Sequence, residues 1–337
     1  MNKVTPPKIA GCLLASAIGD ALAAPVEFLH DVGSIEAYYA QHGFGAGEKT
    51  LRVTDDTQMA LAVGEGLMRA PRPYTAAGVE APLRAAFVAW NTSPENTRAP
   101  GFTCVSACRR LAQDIPWTQA TVANSKGCGA NMRAHPVGLL YRETETTRAA
   151  LAQFQAALTH GHPTCLAAAD LTAWTVHDLL TSGDPATLPA RVIEYAKSQQ
   201  AVYHADWLGD LWETFGSASP GAFIARGWNE CLPLLHQLAA AATFGDRDAD
   251  PCRATGEGWI AEEAFASGLL AFLLFPDEPV AALRRASVTC GDSDSIACIT
   301  GAFVGARHGA EALPQGWRER VEYRARLDAL AGFFARA

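Results

Sequence analysis

The chain has 337 residues, 49% of them hydrophobic and 18% charged, and a formal net charge of −8. That is enough apolar material for a large buried core in one domain or two. The acidic balance argues against broad, charge-driven binding to nucleic acid or to an anionic membrane surface, and leaves room for a local site that takes a small anionic ligand.

The N-terminal stretch MNKVTPPKIAGCLLASAIGD opens on a short polar segment and two prolines, then runs apolar as far as Asp20. It lacks the layout of a secretory signal, and no uncharged apolar run here or further on has the length of a bilayer span. Nine cysteines in no repeating or CxxC spacing suit free thiols better than a disulfide framework or a zinc ribbon. A monomeric cytoplasmic protein is the expectation.

Helical periodicity dominates from the start. Ile9, Cys12, Leu13, Ser16 and Ala17 fall on one helical face, and the sequence continues into GDALAAPVEF, which places Asp20 and then Glu27 in a Gly/Ala/Pro-rich stretch. Glu27 reads either as a solvated surface side chain or as a general acid or base on a loop. Next comes TDDTQMAL, where Thr54, Asp55, Asp56 and Thr57 open a pattern of Met59, Ala62, Val63, Gly66 and Leu67. Such residues cap a helix and complement its positive end. Two adjacent carboxylates and a hydroxyl are also the oxygen ligands that a hard cation such as Mg²⁺ requires.

Further helices are expected at 78–92, 103–113, 147–159, 163–181, 188–198, 222–241, 259–274 and 278–288, with no convincing alternating strand between them. Frequent small residues, as in AAPLRAAFVAW and LHQLAAAATFG, allow close helix packing, and no long linker divides the chain. RAPGFTC reads as a loop entering a helix capped by Thr103. In SKGCGANMRAHP, Gly127 and Gly129 precede Asn131, Met132 and Arg133. Glycines there let backbone N–H groups approach a phosphate, although a Gly-rich turn before a helix is common. THGHP, with His160 and His162, reads as a helix end and a Pro-initiated restart. Glu262 and Glu263 suit the first turn of a helix, where its dipole accounts for them.

A second acidic start appears late, in TCGDSDSIACITGAFVGARHG: Asp292, Asp294 and Ser295 precede the helical spacing of Ile296, Ile299, Thr300, Phe303 and Val304. Capping is available here too. Two apolar helices that each bury a pair of like charges would repel one another unless a cation lay between them. If both starts converge, their oxygens suffice for two hard cations, with waters completing the shells.

Taken together these motifs, in this order over nearly the whole chain, resemble the ADP-ribosylglycohydrolase family. The resemblance implies a compact all-α, orthogonal helical bundle forming a single domain over residues 1–337. It implies two Mg²⁺ ions, with Mn²⁺ as a substitute, held by Thr54, Asp55, Asp56, Asp292, Asp294 and Ser295, and hydrolysis of the glycosidic bond between ADP-ribose and an acceptor. Asp55, Asp292 and Glu27 would carry the chemistry, with Glu27 as acid or base. Gly127, Cys128, Gly129, Asn131, Met132, Arg133 and His160 would line the ADP-ribose cleft.

The expected partner is an ADP-ribosylated protein or ADP-ribose conjugate, with nucleic acid entering only as a modified substrate. Arginine is the expected acceptor, because TDDTQMAL and GDALAAPVEF resemble the bacterial arginine-directed branch. The chain departs from the family pattern at Ala23, Cys128, Cys290 and Ser295. Of these, Cys128 puts in doubt a ligand hydrogen bond that an asparagine would make. The alternatives are a non-catalytic ADP-ribose-binding member and a Mg²⁺-dependent nucleotide-diphosphate phosphohydrolase.

Overall fold

The computed structural model describes residues 4–46, 49–181 and 184–337. Among them, thirteen helices have nine residues or more. They are α1 (Pro6–Ala23), α2 (Val32–His42), α3 (Asp55–Arg69), α4 (Ala76–Thr92), α5 (Phe102–Leu111), α6 (Glu145–Ala157), α7 (Pro163–Thr181), α8 (Leu188–Gln199), α9 (Pro220–Phe244), α10 (Ala261–Leu274), α11 (Pro279–Ser287), α12 (Ser293–His308) and α13 (Arg324–Phe334). Extended pairing among the described residues is limited to isolated bridges such as Val122 with His160 and Gly127 with Ile260. The all-α expectation holds, and the helices expected at 163–181 and 188–198 appear as α7 and α8. All nine cysteines are free thiols.

The centre of the fold is the antiparallel pair α1 and α12, and glycine explains its closeness. A Cβ on Gly305 would stand 2.0 Å from the carbonyl oxygen of Gly11, one on Gly301 2.1 Å from that of Ala15, and one on Gly19 2.1 Å from that of Ala297. No side chain fits at these crossings, so backbone lies on backbone. Because the pair runs antiparallel, the C-terminal end of α1, with Asp20, lies beside the N-terminal end of α12, with Asp292 and Asp294. By composition and length Pro6–Val26 is apolar enough to cross a membrane, with mean hydropathy 1.7, although it is not uncharged, carrying Lys8 and Asp20; 83% of its 18-residue apolar window is buried within this protein.

Two boundaries correct the reading of the first motif. α1 runs on to Ala23, so Asp20 sits inside a helix. Glu27 then follows a single 3₁₀ turn, Ala24–Val26, where a longer loop was expected. The helices α2 and α13 were not anticipated.

Candidate active site

Asp20 is fully buried and organises the start of α3. Its two carboxylate oxygens accept from the Thr54 N–H at 3.0 and 3.1 Å. One of them also accepts from the Thr57 N–H at 3.1 Å and the Thr57 hydroxyl at 2.5 Å. One carboxylate thus receives the free N–H groups of a neighbouring helix, the work that a side-chain cap ordinarily does. Thr54 is itself the N-cap, its hydroxyl oxygen accepting from the Asp56 N–H at 3.2 Å. With α3 tied to the end of α1, Asp55 and Asp56 face Asp292 and Asp294 at the start of α12 across one cleft.

That cleft is open to solvent and has a cavity volume of about 220 Å³. It is lined by the acidic set Glu27, Asp55, Asp56, Asp292, Asp294 with Ser295, by Gly127, Cys128, Gly129, Met132 and His160 from the glycine-rich turn and its neighbours, and by Ala99, Gly101, Phe102, Thr103, Cys104 and Trp259. No lysine or arginine is among these residues.

Like charges crowded out of water hold one another protonated. Burial, then Asp294, pushes the Asp20 carboxyl up to about 7. Burial, then Asp294, Asp55 and Asp20, pushes Glu27 up to about 9. Asp55, Asp56 and Asp292 are raised well above the ordinary carboxylate range by burial first and Asp294 second. One oxygen of Asp56 and one of Asp294 are buried with no hydrogen-bond partner. Unpartnered buried carboxylate oxygens in a site without a lysine or arginine are what a hard cation satisfies, so the donor set fits the cations the resemblance implies. Among the described residues, the trio of metal-ligating side chains whose ligand atoms all lie within 4.8 Å of one another occurs elsewhere.

The glycine-rich turn is pinned from behind. The Cys128 N–H donates to the Trp259 carbonyl at 3.1 Å, and the Ala261 N–H to the Lys126 carbonyl at 2.8 Å, which ties the turn to the start of α10. Lys126 also pairs with Glu262, so that first-turn glutamate has a partner beyond the helix dipole. A Cβ on Gly129 would meet Cys104 Sγ at 2.7 Å. Cys128 donates its thiol to Asp292 at 2.9 Å. It thus touches the acidic set from the glycine side, in the place where an amide was expected. His160 closes the turn; burial, then the charge of Arg133, lowers it well below the ordinary histidine range, so it is neutral.

Two residues expected to line the cleft do not. Asn131 is fully buried, its amide donating to the Ala261 carbonyl at 3.0 Å and its oxygen accepting from the Thr172 hydroxyl at 2.6 Å. Arg133 is also fully buried. It donates to the Gln155 side chain and carbonyl at 2.9 Å and to the Thr159 hydroxyl at 2.8 Å, and stacks over Phe87 at 4.4 Å. Both side chains point away from the ligand space because the 3₁₀ turn Cys128–Ala130 rotates them inward. They support the glycine turn from beneath.

Sequence reasoning missed Asp20 as the organiser of α3 and the RAPGFTC segment as cleft lining. Gly101, and not Thr103, precedes the first turn of α5, and the Thr103 hydroxyl pairs with Ser125 at 2.9 Å. Phe102 is 83% exposed at the mouth. The sequence offered no signal for this, since a phenylalanine opening a helix is ordinarily read as a core residue.

Comparison with known proteins identifies the family. The chain is 26% identical to the ADP-ribosyl-[dinitrogen reductase] glycohydrolase of Rhodospirillum rubrum, covering 95% of this chain and 94% of that protein. It is 24% identical to human ADP-ribosylhydrolase ARH3, over 95% and 91% of the two chains. It is also 24% identical to the ADP-ribosylarginine hydrolase Tri1 of Serratia proteamaculans, over 96% and 78%. A solved structure described as an ADP-ribosylglycohydrolase-related protein complex superposes with a TM-score of 0.63 at 22% identity, covering 98% of each chain, and shares the fold. Because the ADP-ribosylglycohydrolase model matches residues 2–337, the chain belongs to the ADP-ribosylglycohydrolase family and is a hydrolase that removes ADP-ribose.

Proposed function

We propose that the cleft hydrolyses the N-glycosidic bond between ADP-ribose and an arginine side chain of a modified protein, with two Mg²⁺ or Mn²⁺ ions on its acidic side. The observation that carries this reading is the concentration of Glu27, Asp55, Asp56, Asp292 and Asp294 around one cleft whose lining has no lysine or arginine. Thr54, Asp55, Asp56, Asp292, Asp294 and Ser295 would hold the ions. When bound, these supply positive charge that orients the ribose hydroxyls and the attacking water.

The chain's own residues account for the rest. The glycine turn presents backbone to the diphosphate where Gly129 leaves no room for a side chain. Neutral His160 stands behind it as a packing surface. Residual negative potential at the mouth favours an acceptor that is a cation, and a guanidinium is one. Protonated, the guanidine nitrogen leaves as a neutral group as the bond to the anomeric carbon breaks through an oxocarbenium-like state. Glu27, the half-buried carboxyl of the set, moves the proton between water and leaving nitrogen. A relative named as an ADP-ribosylarginine hydrolase supports the choice of acceptor.

The test offers arginine-linked, serine-linked and nucleotide-linked ADP-ribose to the purified protein with Mg²⁺, with Mn²⁺ and with chelator. Free ADP-ribose from the arginine conjugate, abolished by chelation, is expected. Release from serine conjugates alone would overturn the acceptor, and full turnover in chelator would overturn the metal reading. AMP plus ribose phosphate would instead identify a phosphohydrolase.

A further inference from the structure

Outside the cleft, Asp250, Cys252 and Cys290 bring a carboxylate oxygen and two sulfur atoms within 4.8 Å of one another. Asp250 and Cys252 are buried and Cys290 is partly exposed, so the cluster sits just beneath the surface. Asp250 is fixed: one oxygen accepts from the Cys252 N–H at 3.0 Å and the other from the Cys290 N–H at 2.9 Å. Both thiols also hydrogen-bond to this carboxylate, which joins the two cysteine segments. Nearby Arg285 donates to the carbonyls of Asp248 and Val288, and its charge acts on Asp250 and Cys252 without a hydrogen bond to either.

We propose that Asp250, Cys252 and Cys290 form a second metal site, chemically distinct from the acidic cleft, for a borderline or soft divalent cation of the Zn²⁺ class. Tetrahedral coordination at ordinary Zn–S and Zn–O lengths puts ligand atoms about 3.3–3.8 Å apart, so the trio closes on an ion by side-chain adjustments of roughly 1 Å. Two sulfurs and one carboxylate exclude Mg²⁺ as the preferred occupant. Three protein ligands leave the fourth position to water or an exogenous group. Binding releases one proton from each thiol to solvent, so that two thiolates and a carboxylate face the cation.

The site bears on the cleft through the chain. Cys290 lies two residues before Asp292, whose N–H donates to the Glu257 carbonyl at 2.7 Å. At Gly291 a Cβ would stand 1.8 Å from that same carbonyl oxygen. An ion tying Cys252 to Cys290 therefore clamps the loop that delivers Asp292.

The experiment titrates reduced, chelator-treated full-length protein with Cd²⁺ and follows the ultraviolet thiolate-to-metal charge-transfer band, with Zn²⁺ as competitor. One equivalent of band that Zn²⁺ removes is expected, unchanged in Cys128→Ser and Asp55→Asn. In Cys290→Ser and Cys252→Ser the affinity should fall roughly a hundredfold. Zn²⁺ should also raise the melting temperature of the wild type and not of Cys290→Ser, whose partly exposed position tolerates the change if Cys252→Ser fails to fold. The proposal fails if no band forms, if the band survives in Cys290→Ser, or if only Cys128→Ser removes it, which would place the ion in the acidic cleft.

Discussion

Asp294 is the hub of the repulsion in the cleft: its charge raises Asp20, Glu27, Asp55, Asp56 and Asp292. Asp294→Asn keeps the shape and removes the charge. At an effective dielectric near 20, each like pair about 5 Å apart costs about 3 kcal/mol if both partners are ionised. The carboxyls evade most of that cost by keeping protons. Against the gain stands loss of a charged acceptor for the Ser295 N–H and the Thr54 hydroxyl, about 1 kcal/mol.

The expected net effect in metal-free protein is a gain of about 1–2 kcal/mol, or roughly 1.5–3 °C in melting temperature for a chain of this size. Thermal denaturation with excess chelator reads it directly. With Mg²⁺ the order should reverse, because the wild type gains a bound ion and the variant loses a ligand. The pH dependence has a definite sign. A carboxyl whose folded pKa is raised stabilises the fold below its unfolded value, near 4, and that contribution is lost as pH rises through the folded value, about 7 for Asp20. Metal-free wild type should therefore melt progressively lower from about pH 5 to about pH 9, with a shallower fall in Asp294→Asn. A variant equally destabilised in chelator and in Mg²⁺ would refute the reasoning, since it would make Asp294 an ordinary hydrogen-bonding residue.

Glu27→Gln should lower kcat by roughly a hundredfold or more with little change in ADP-ribose affinity by calorimetry, as removal of a proton-transfer group does; wild-type turnover would make Glu27 a bystander. Arg133→Lys should cost about 2–4 kcal/mol in urea denaturation, because an ammonium cannot replace the guanidinium fork and its stacking on Phe87. The folded Arg133→Lys fraction should bind ADP-ribose within about threefold of wild type, and a selective loss of binding would return Arg133 to the cleft. Gly129→Ala should destabilise by about 1–3 kcal/mol through the contact with Cys104. Gly127→Ala, whose Cβ would meet its nearest atom, on His160, at 3.6 Å, should leave the melting temperature within about 2 °C of wild type.

Much of this was legible because burial and periodicity coincide. The pattern of 163–181 is apolar nearly all round and matches a fully buried α7, and both acidic starts lie at the first turns of α3 and α12. α2 was not legible, since its buried side chains are only Ile35 and Tyr39, one i, i+4 pair. α13 could have been read from Leu327, Leu330 and Phe334 at i, i+3 and i+7. Asn131 and Arg133 were misplaced for a different reason. A motif reports which residues accompany a ligand loop and not which way a 3₁₀ turn points them, and a buried arginine without a carboxylate partner runs against the ordinary expectation for that side chain.

Asp20 shows how such a gap can be narrowed by physical argument. It is the one acidic residue in an otherwise apolar run from Ile9 to Val26, and glycines at 11 and 19 mark the same run for contact with another backbone. A helix buried that closely cannot turn one carboxylate to water, so the carboxylate must find donors inside the protein. The N–H groups at the first turn of another buried helix are a concentrated supply of unpaired donors. Of the helices in the sequence, the one opening on Thr54-Asp55-Asp56-Thr57 supplies both N–H groups and hydroxyls but adds acidic charge of its own. Meeting Asp20 there satisfies its oxygens while bringing three carboxylates together, and the glycine seam then adds Asp292 and Asp294. The packing that closes the core thus creates a charge imbalance that the core itself cannot neutralise, which is why the cleft at this junction calls for a cation.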